Sequence, residues 1–331
     1  MPDINLAPSR VAATDADQAV ARFLSRLDDM LVHGDTHAAA SLFTADCHWR
    51  DLIAFTWNIK TVEGRDAIAA MLDATLPTTR PTGWHAHDQA TEAEGVVTGG
   101  FTFETEDGRG CGIVRLRDGL CWTILTTLTE LKGHEEKHGR TREHGAAHGI
   151  PLDRRSWLER RQHEDETLGI TEQPYVLIIG GGQGGLGLGA RLRRLGVPTI
   201  IADAHARPGD QWRSRYKSLC LHDPVWYDHM PYLPFPEHWP VYCPKDKIGD
   251  WLEMYAKVME LNCWNSTRCV AARYDEQAAE WIVELDRDGT PVTVRPKHLV
   301  LATGLSGLPN IPDIAGRDRF EGIQHLSLIH I

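Results

Sequence analysis

An apolar run that feeds straight into a glycine-rich turn constrains this chain more than any other feature. Residues 175–187 read YVLIIGGGQGGLG. Gly180, Gly182 and Gly185 fit the spacing G-x-G-x-x-G, with Gln183 and Gly184 between the second and third glycines. The first glycine permits a tight turn, the second lets a phosphate approach the backbone, and the third lets a helix pack closely on the strand. A helix is expected over residues 184–195, its N-terminal amides and positive dipole end facing an anion. A second strand, residues 198–202, ends in Asp203, where a carboxylate can accept hydrogen bonds from a ribose. Glycine spacing alone also suits a structural turn. The ordered strand, loop, helix, strand and acid favour a dinucleotide site.

Bulk properties narrow the setting. The 331 residues can hold two domains. A formal charge of -11 argues against nucleic acid or an anionic membrane as a general partner. The first 13 residues lack the charged start and apolar core of a secretory signal, and no apolar run approaches membrane-spanning length. Seven scattered cysteines form no C-x-x-C pair and read as small core residues of a protein in reducing cytoplasm.

The chain divides by composition. Residues 132–173 are charged and read as a connector, with a short helix over 154–166 that docks through Trp157 and Leu158. The pairs His134/His138 and His144/His148 have helical spacing for a metal. Gly139, Gly145 and Gly149 oppose a helix there, and no metal site is expected. Upstream, Val20, Phe23, Leu24, Leu27 and Leu31 recur at helical spacing and predict a helix over 15–32. Further helices are expected over 36–43 and 66–76, and strands over 47–55, 96–104, 110–117 and 121–131. Asp107-Gly108 and Asp118-Gly119 are the turns between the last three. Helices first and a curved antiparallel sheet afterwards make an α+β domain.

That order, with LFTADCHWRDLIAFTWNIKTVEGRDAI at its centre, resembles the ketosteroid-isomerase-like cone family over residues 15–131. The resemblance implies an enzyme, a binding pocket or a module through which two copies pair as a homodimer. An isomerase needs a base and an oxyanion donor such as tyrosine, and this region has no tyrosine. Asp51, His85 and His87 could line a cone, or be ordinary surface or hydrogen-bonded residues.

Past Asp203 lie Trp212 and Arg213, an aromatic plane and a guanidinium suited to a large anionic ligand. Residues 231–244 are rich in proline and aromatics and read as a long loop. A helix over 245–261, a hairpin using Cys269-Val270 and residues 281–285, and a buried strand over 298–301 follow. That strand ends in Ala302, Thr303 and Gly304. Together GGGQGG, Gly209-Asp210-Gln211-Trp212-Arg213, LVLATG and Pro309-Asn310-Ile311-Pro312 resemble class B flavoprotein monooxygenases, the flavin-containing and Baeyer–Villiger enzymes. The resemblance runs over 174–325 and implies an α/β Rossmann-like FAD/NAD(P)-binding domain, incomplete here.

It implies FAD on the first glycine loop, Asp203 on the adenosine ribose, Trp212 and Arg213 beside the cofactor, and Val270 meeting the adenine through its backbone. The Ala302-Thr303-Gly304 turn would pass beside the flavin. Phe320, Glu321 and Gly322 begin the family's F-x-G-x-x-x-H fingerprint, but its histidine position falls on Leu326. His222 stands where the flavin-containing enzymes often have asparagine, and could face the flavin or cap a loop. Residues 326–331, LSLIHI, read as translated adapter sequence, so the natural chain is expected to continue past His325 and to carry the NADPH loop there.

The implied activity is monooxygenation of a small organic heteroatom compound or ketone by NADPH and O2, through a C4a-peroxyflavin. Alternatives are a flavoprotein oxidoreductase without oxygenation and a binding protein without turnover. A disulfide reductase would need a close redox cysteine pair, and Cys263 and Cys269 are too widely spaced.

Overall fold

The computed structural model describes residues 14–145, 155–305 and 310–324. His148, Pro309, His325 and the 326–331 tail lie outside the described residues. The chain forms two compact units, Met1–Glu136 and Lys137–Ile331.

The first unit opens with α1 (Asp15–Val32), whose Val20, Phe23, Leu24, Leu27 and Leu31 are all buried. Thr14 caps it in a reciprocal box with Asp17, and the same Asp17 carboxylate accepts the Ala90 N–H at 2.7 Å. The elements that follow are α2 (Thr36–Ser41), β1 (Phe43–Leu52), β2 (Ile59–Glu63), α3 (Arg65–Thr79), β3 (Thr82–Ala93), β4 (Val96–Glu104), β5 (Gly108–Arg117) and β6 (Leu120–Leu131). One six-stranded sheet has the order β2-β1-β6-β5-β4-β3, with β1 and β6 parallel and the other pairs antiparallel.

Aromatic rings fill the core of this unit. Trp84 stacks on Phe103 at 4.8 Å and Phe43 on Trp49 at 5.8 Å, with Phe55 and Phe101 wedged against them. Each such ring removes enough apolar surface to contribute about 2–3 kcal/mol. Gly112 on β5 makes the packing possible, because a Cβ there would run into the Leu125 carbonyl and the Phe101 ring.

Several boundaries differ from expectation. Phe43 starts β1 rather than ending α2, and its ring sits fully buried. Helix α3 runs past Pro77 because a proline in the last turn deletes one N–H only. The Thr78 and Thr79 hydroxyls both donate to the Thr75 carbonyl there. Strand β3 is unexpected from its sequence: a register shift between His87 and Thr91 and a left-handed Asp88 break the alternation that would mark it.

The second unit begins with α4 (Trp157–Thr167), then β7 (Val176–Ile179), α5 (Gln183–Arg194), β8 (Thr199–Ala202), α6 (Asp210–Arg213), α7 (Lys245–Val258) and β9 (Cys263–Trp264). It ends with β10 (Thr267–Asp275), β11 (Glu280–Arg287), β12 (Thr290–Val294) and β13 (His298–Leu301). A four-stranded sheet has the order β13-β7-β8-β9, with all pairs parallel. Strands β10, β11 and β12 form an antiparallel meander rather than the two-stranded hairpin expected. The unit is mixed α/β, with β7-α5-β8 as its crossover at the glycine loop.

Helix α4 docks by polar contacts, not through Leu158, which stays 64% exposed. Trp157 Nε1 donates to Glu260 at 2.6 Å and Arg161 donates to Asn262 at 2.9 Å. Glu164 accepts from both Asn262 and Arg193. Burial works against the Glu164 charge, but those bonds and the neighbouring guanidinium groups outweigh it and hold its carboxyl below the usual glutamate range.

Candidate functional site

The glycine loop closes the end of β7 against two neighbours. Gly180 has φ +111°, and a Cβ there would strike the Ala302 carbonyl at the end of β13. Gly185 faces the Gly180 carbonyl so closely that a Cβ would overlap it. These two positions therefore serve the contact of strand and helix. Gly184 is different: nothing stands within 4 Å of a Cβ built on it, and Gln183 and Gly184 are exposed. Gly182 is the N-cap of α5 in extended backbone, and no side chain caps the helix or places an acid in its first turn. The first-turn amides thus face open space, with Arg191, Arg193 and Arg194 complementing the far end of the helix. This cradle, which side chains would fill, fits a diphosphate.

Asp203 follows β8 directly. Its Oδ2 accepts the Gly181 N–H at 2.6 Å, and Oδ1 accepts the His205 N–H at 2.8 Å with the His205 ring at the same distance. The carboxylate therefore braces the loop as well as ending the strand. Two carboxylate oxygens offer about four acceptor positions, so capacity remains for a ribose hydroxyl. The Thr267 N–H donates to the Asp203 carbonyl at 2.8 Å and ties the start of β10 to the same corner. Val270, three residues on, is the extra residue of a bulge between Cys269 and Ala271 and is 64% exposed. Its backbone is outside the β10–β11 ladder.

Trp212 and Arg213 lie in the single turn α6, and the structure separates their roles. Trp212 Nε1 donates to Gln183 Oε1 at 3.1 Å, which ties α6 to the first residue of α5. Arg213 instead binds Asp210 at 2.9 Å, Asp250 at 2.8 Å and Glu253 at 2.7 Å. Burial opposes its charge, yet the bonds to Asp250 and Asp210 raise its pKa further. Three carboxylates hold this guanidinium, so it anchors α6 on α7 rather than standing open to an anion. Gly209 and Gly249 let the two helices touch: a Cβ on Gly209 would overlap the Gly249 carbonyl.

Other candidates are not gathered at the loop. The His222 side chain is 94% exposed and its ring meets Asp223 at 3.5 Å. Thr303 and Gly304 are exposed beyond β13, and a Cβ on Gly180 would meet the Thr303 backbone nitrogen as well as the Ala302 carbonyl. In the first unit, Asp51 is fully buried and accepts from Ala54, Phe55 and Thr56 backbone N–H groups and from the Thr56 and Thr126 hydroxyls. It organises a turn under the aromatic core, while His85 and His87 are exposed.

Gln211 and His205 are the residues that sequence reasoning overlooks. Gln211 lies within the quoted Gly209–Arg213 segment without a role of its own there, and His205 shows only as a ring two residues past the strand-ending acid. Among the cysteines, burial pushes Cys263 up to about 12 and Cys243 up to about 11, so neither thiol ionises near neutrality. No group of three metal-ligating side chains occurs among the described residues, and no described helix is long and apolar enough to cross a membrane.

Comparison with known proteins brings both units into focus. Residues 20–124 match the SnoaL-like domain family, which sharpens the cone resemblance. Indole-3-pyruvate monooxygenase YUCCA1 of Oryza sativa subsp. japonica is 33% identical over 172 residues, 52% of this chain and 40% of the relative. Probable indole-3-pyruvate monooxygenase YUCCA1 of Arabidopsis thaliana is 34% identical over 168 residues, again 40% of its length. The chain thus spans about two fifths of the curated relatives it matches. A solved flavin-containing monooxygenase from Stenotrophomonas maltophilia is 30% identical, covering 45% of this chain and 44% of that one, with a TM-score of 0.41. Residues 20–124 are therefore similar to SnoaL-like domains, and about half of the chain is similar to indole-3-pyruvate monooxygenases.

Proposed function

We propose that the second unit is the FAD-binding part of a flavin-dependent monooxygenase, Rossmann-like over residues 174–325. NADPH is the reductant, O2 the co-substrate and a small organic molecule the acceptor of oxygen. The observation that carries this reading is the open N-terminus of α5, uncapped and free of acids, beside the braced Asp203. When bound, FAD supplies the two-electron and oxygen chemistry.

This chain's own residues bind and orient. The first-turn amides of α5 hold the diphosphate, and Asp203 keeps an acceptor for the ribose. Gln183, fixed by Trp212, keeps the helix start in place. Val270 offers unpaired backbone toward the adenine end. His222 and the Thr303–Gly304 turn are assigned to the flavin side on resemblance alone. The similarity of the curated relatives, which are indole-3-pyruvate monooxygenases by name, supports the class of chemistry.

The test is a spectrum of the purified chain with added FAD. Retention of a flavin band near ~450 nm is expected; a folded protein that stays colourless would sink the proposal. We assign the SnoaL-like unit to pairing of two copies rather than to catalysis, because its core is filled by rings. Sedimentation that finds only monomer at working concentration removes that assignment.

A further inference from the structure

We propose that the cleft between α4 and β9 binds a small zwitterion of the amino-acid class, its carboxylate on Arg287 and its ammonium group on Asp165. The inference is independent of the FAD reading, because neither the glycine loop nor Asp203 nor Val270 borders this cleft. The cleft has a volume of about 320 Å³ and runs along β9, a border strand of the parallel sheet. That size lies at the small end of the range for ligand pockets.

Arg287, the last residue of β11, marks the cleft as a site. Its guanidinium lies 4.1 Å over the Trp264 ring and makes no hydrogen bond or ion pair with any described residue. Arg161 and Arg193, by contrast, both meet carboxylates. The platform under Arg287 is fixed: Trp264 is buried, and a Cβ on Gly169 would overlap its ring. Stacking covers one face of the guanidinium and leaves its edge of N–H donors, a fork that matches a carboxylate in bidentate fashion.

The facing wall offers an acceptor. Arg161 of α4, with a side chain only 15% exposed, is engaged by Glu164, Asp165 and Asn262. Glu164 is also held by Arg193 and Asn262. Asp165 gives Arg161 only Oδ1, at 3.2 Å, and its side chain is 57% exposed, so Oδ2 stays open to a ligand donor. The charges of Arg161, Arg287, Glu164 and Asp165 cancel around the cleft. A lining of that kind penalises a dianion such as phosphate and suits a ligand whose own charges cancel. Leu168 and Leu261 border the same space and favour an apolar side chain on that ligand.

The experiment titrates the 331-residue chain with leucine, acetate and inorganic phosphate by calorimetry, beside Arg287→Gln and Asp165→Asn, with ligand-free thermal melts as the check on folding. Leucine should bind with a Kd of about 1 mM or tighter, and about tenfold tighter than acetate or phosphate. Arg287→Gln should weaken leucine by about tenfold or more. Asp165→Asn should weaken leucine by about fivefold and leave acetate unchanged. Neither substitution should move the ligand-free Tm by more than about 2 °C, since neither side chain is buried. If Arg287→Gln fails to fold, Asp165→Asn decides alone. A folded parent that gives no heat with leucine up to about 10 mM overturns the proposal. So does acetate or phosphate binding as tightly as leucine, or leucine affinity within about twofold of the parent in either folded variant.

Discussion

Helix α1 of the first unit and helix α5 of the second start in opposite ways. Helix α1 satisfies its own N-terminus: Thr14 and Asp17 exchange hydrogen bonds, and Asp17 reaches across to Ala90. Helix α5 starts on Gly182, with no cap. Among the described α-helices it alone lacks both a capping side chain and an acid in its first turn. The first arrangement completes a fold internally. The second leaves amide donors and positive potential for something that is not protein. A helix start with neither a capping side chain nor a first-turn acid is thus a pointer to a ligand.

Exchange of the two arrangements tests the contrast most severely. Gly182 has φ -77°, open to any residue, so Gly182→Asp should fold and cap α5. It should lower FAD affinity by about 100-fold, on the order of 3 kcal/mol, while raising nucleotide-free stability by about 1 kcal/mol. Titration with FAD and thermal melts read the two signs; equal FAD binding would end the contrast. Asp51→Ala, in the self-satisfied half, should cost about 3 kcal/mol, because the Ala54 and Phe55 amides lose their acceptor inside the core. Denaturant unfolding of the whole chain should show that loss in one transition only, with FAD affinity unchanged.

Thr14→Ala should cost about 1 kcal/mol and leave FAD affinity untouched. A drop in FAD affinity would show that the two helix starts are not independent. The smallest effect concerns pH. Glu164 is held below its unfolded pKa, so its contribution is complete above the unfolded value and disappears as pH falls through the folded one. With its side chain a third exposed, the discounted gain is about 1 kcal/mol. Acid titration of stability should therefore flatten slightly in Glu164→Gln, and an unchanged acid limb would show that the Arg193 and Asn262 contacts contribute nothing.

The glycine loop was legible because Gly180 and Gly185 answer steric demands that a sequence must meet, as the Ala302 and Gly180 carbonyls show. Helix α1 was legible because its buried residues repeat at helical spacing. Strand β3 was not, since its bulge removes the alternation. Arg213 showed as a cation beside the site, but two of the three carboxylates that hold it come from α7, some 40 residues away, and no local pattern announces them. Gln211 was illegible for a related reason: that neither of its buried amide atoms finds a partner among the described residues is visible only when every neighbour is placed.

Strand β13 has a different consequence, one of handling. It lies at the border of its sheet, paired on one side with β7, and Leu301 at its end is 72% exposed. A parallel strand with an open row of amides and carbonyls beside an apolar side chain is a template for further strands. Preparations of this chain should lose colloidal stability as concentration rises, and light scattering should improve when Leu301 is replaced by lysine.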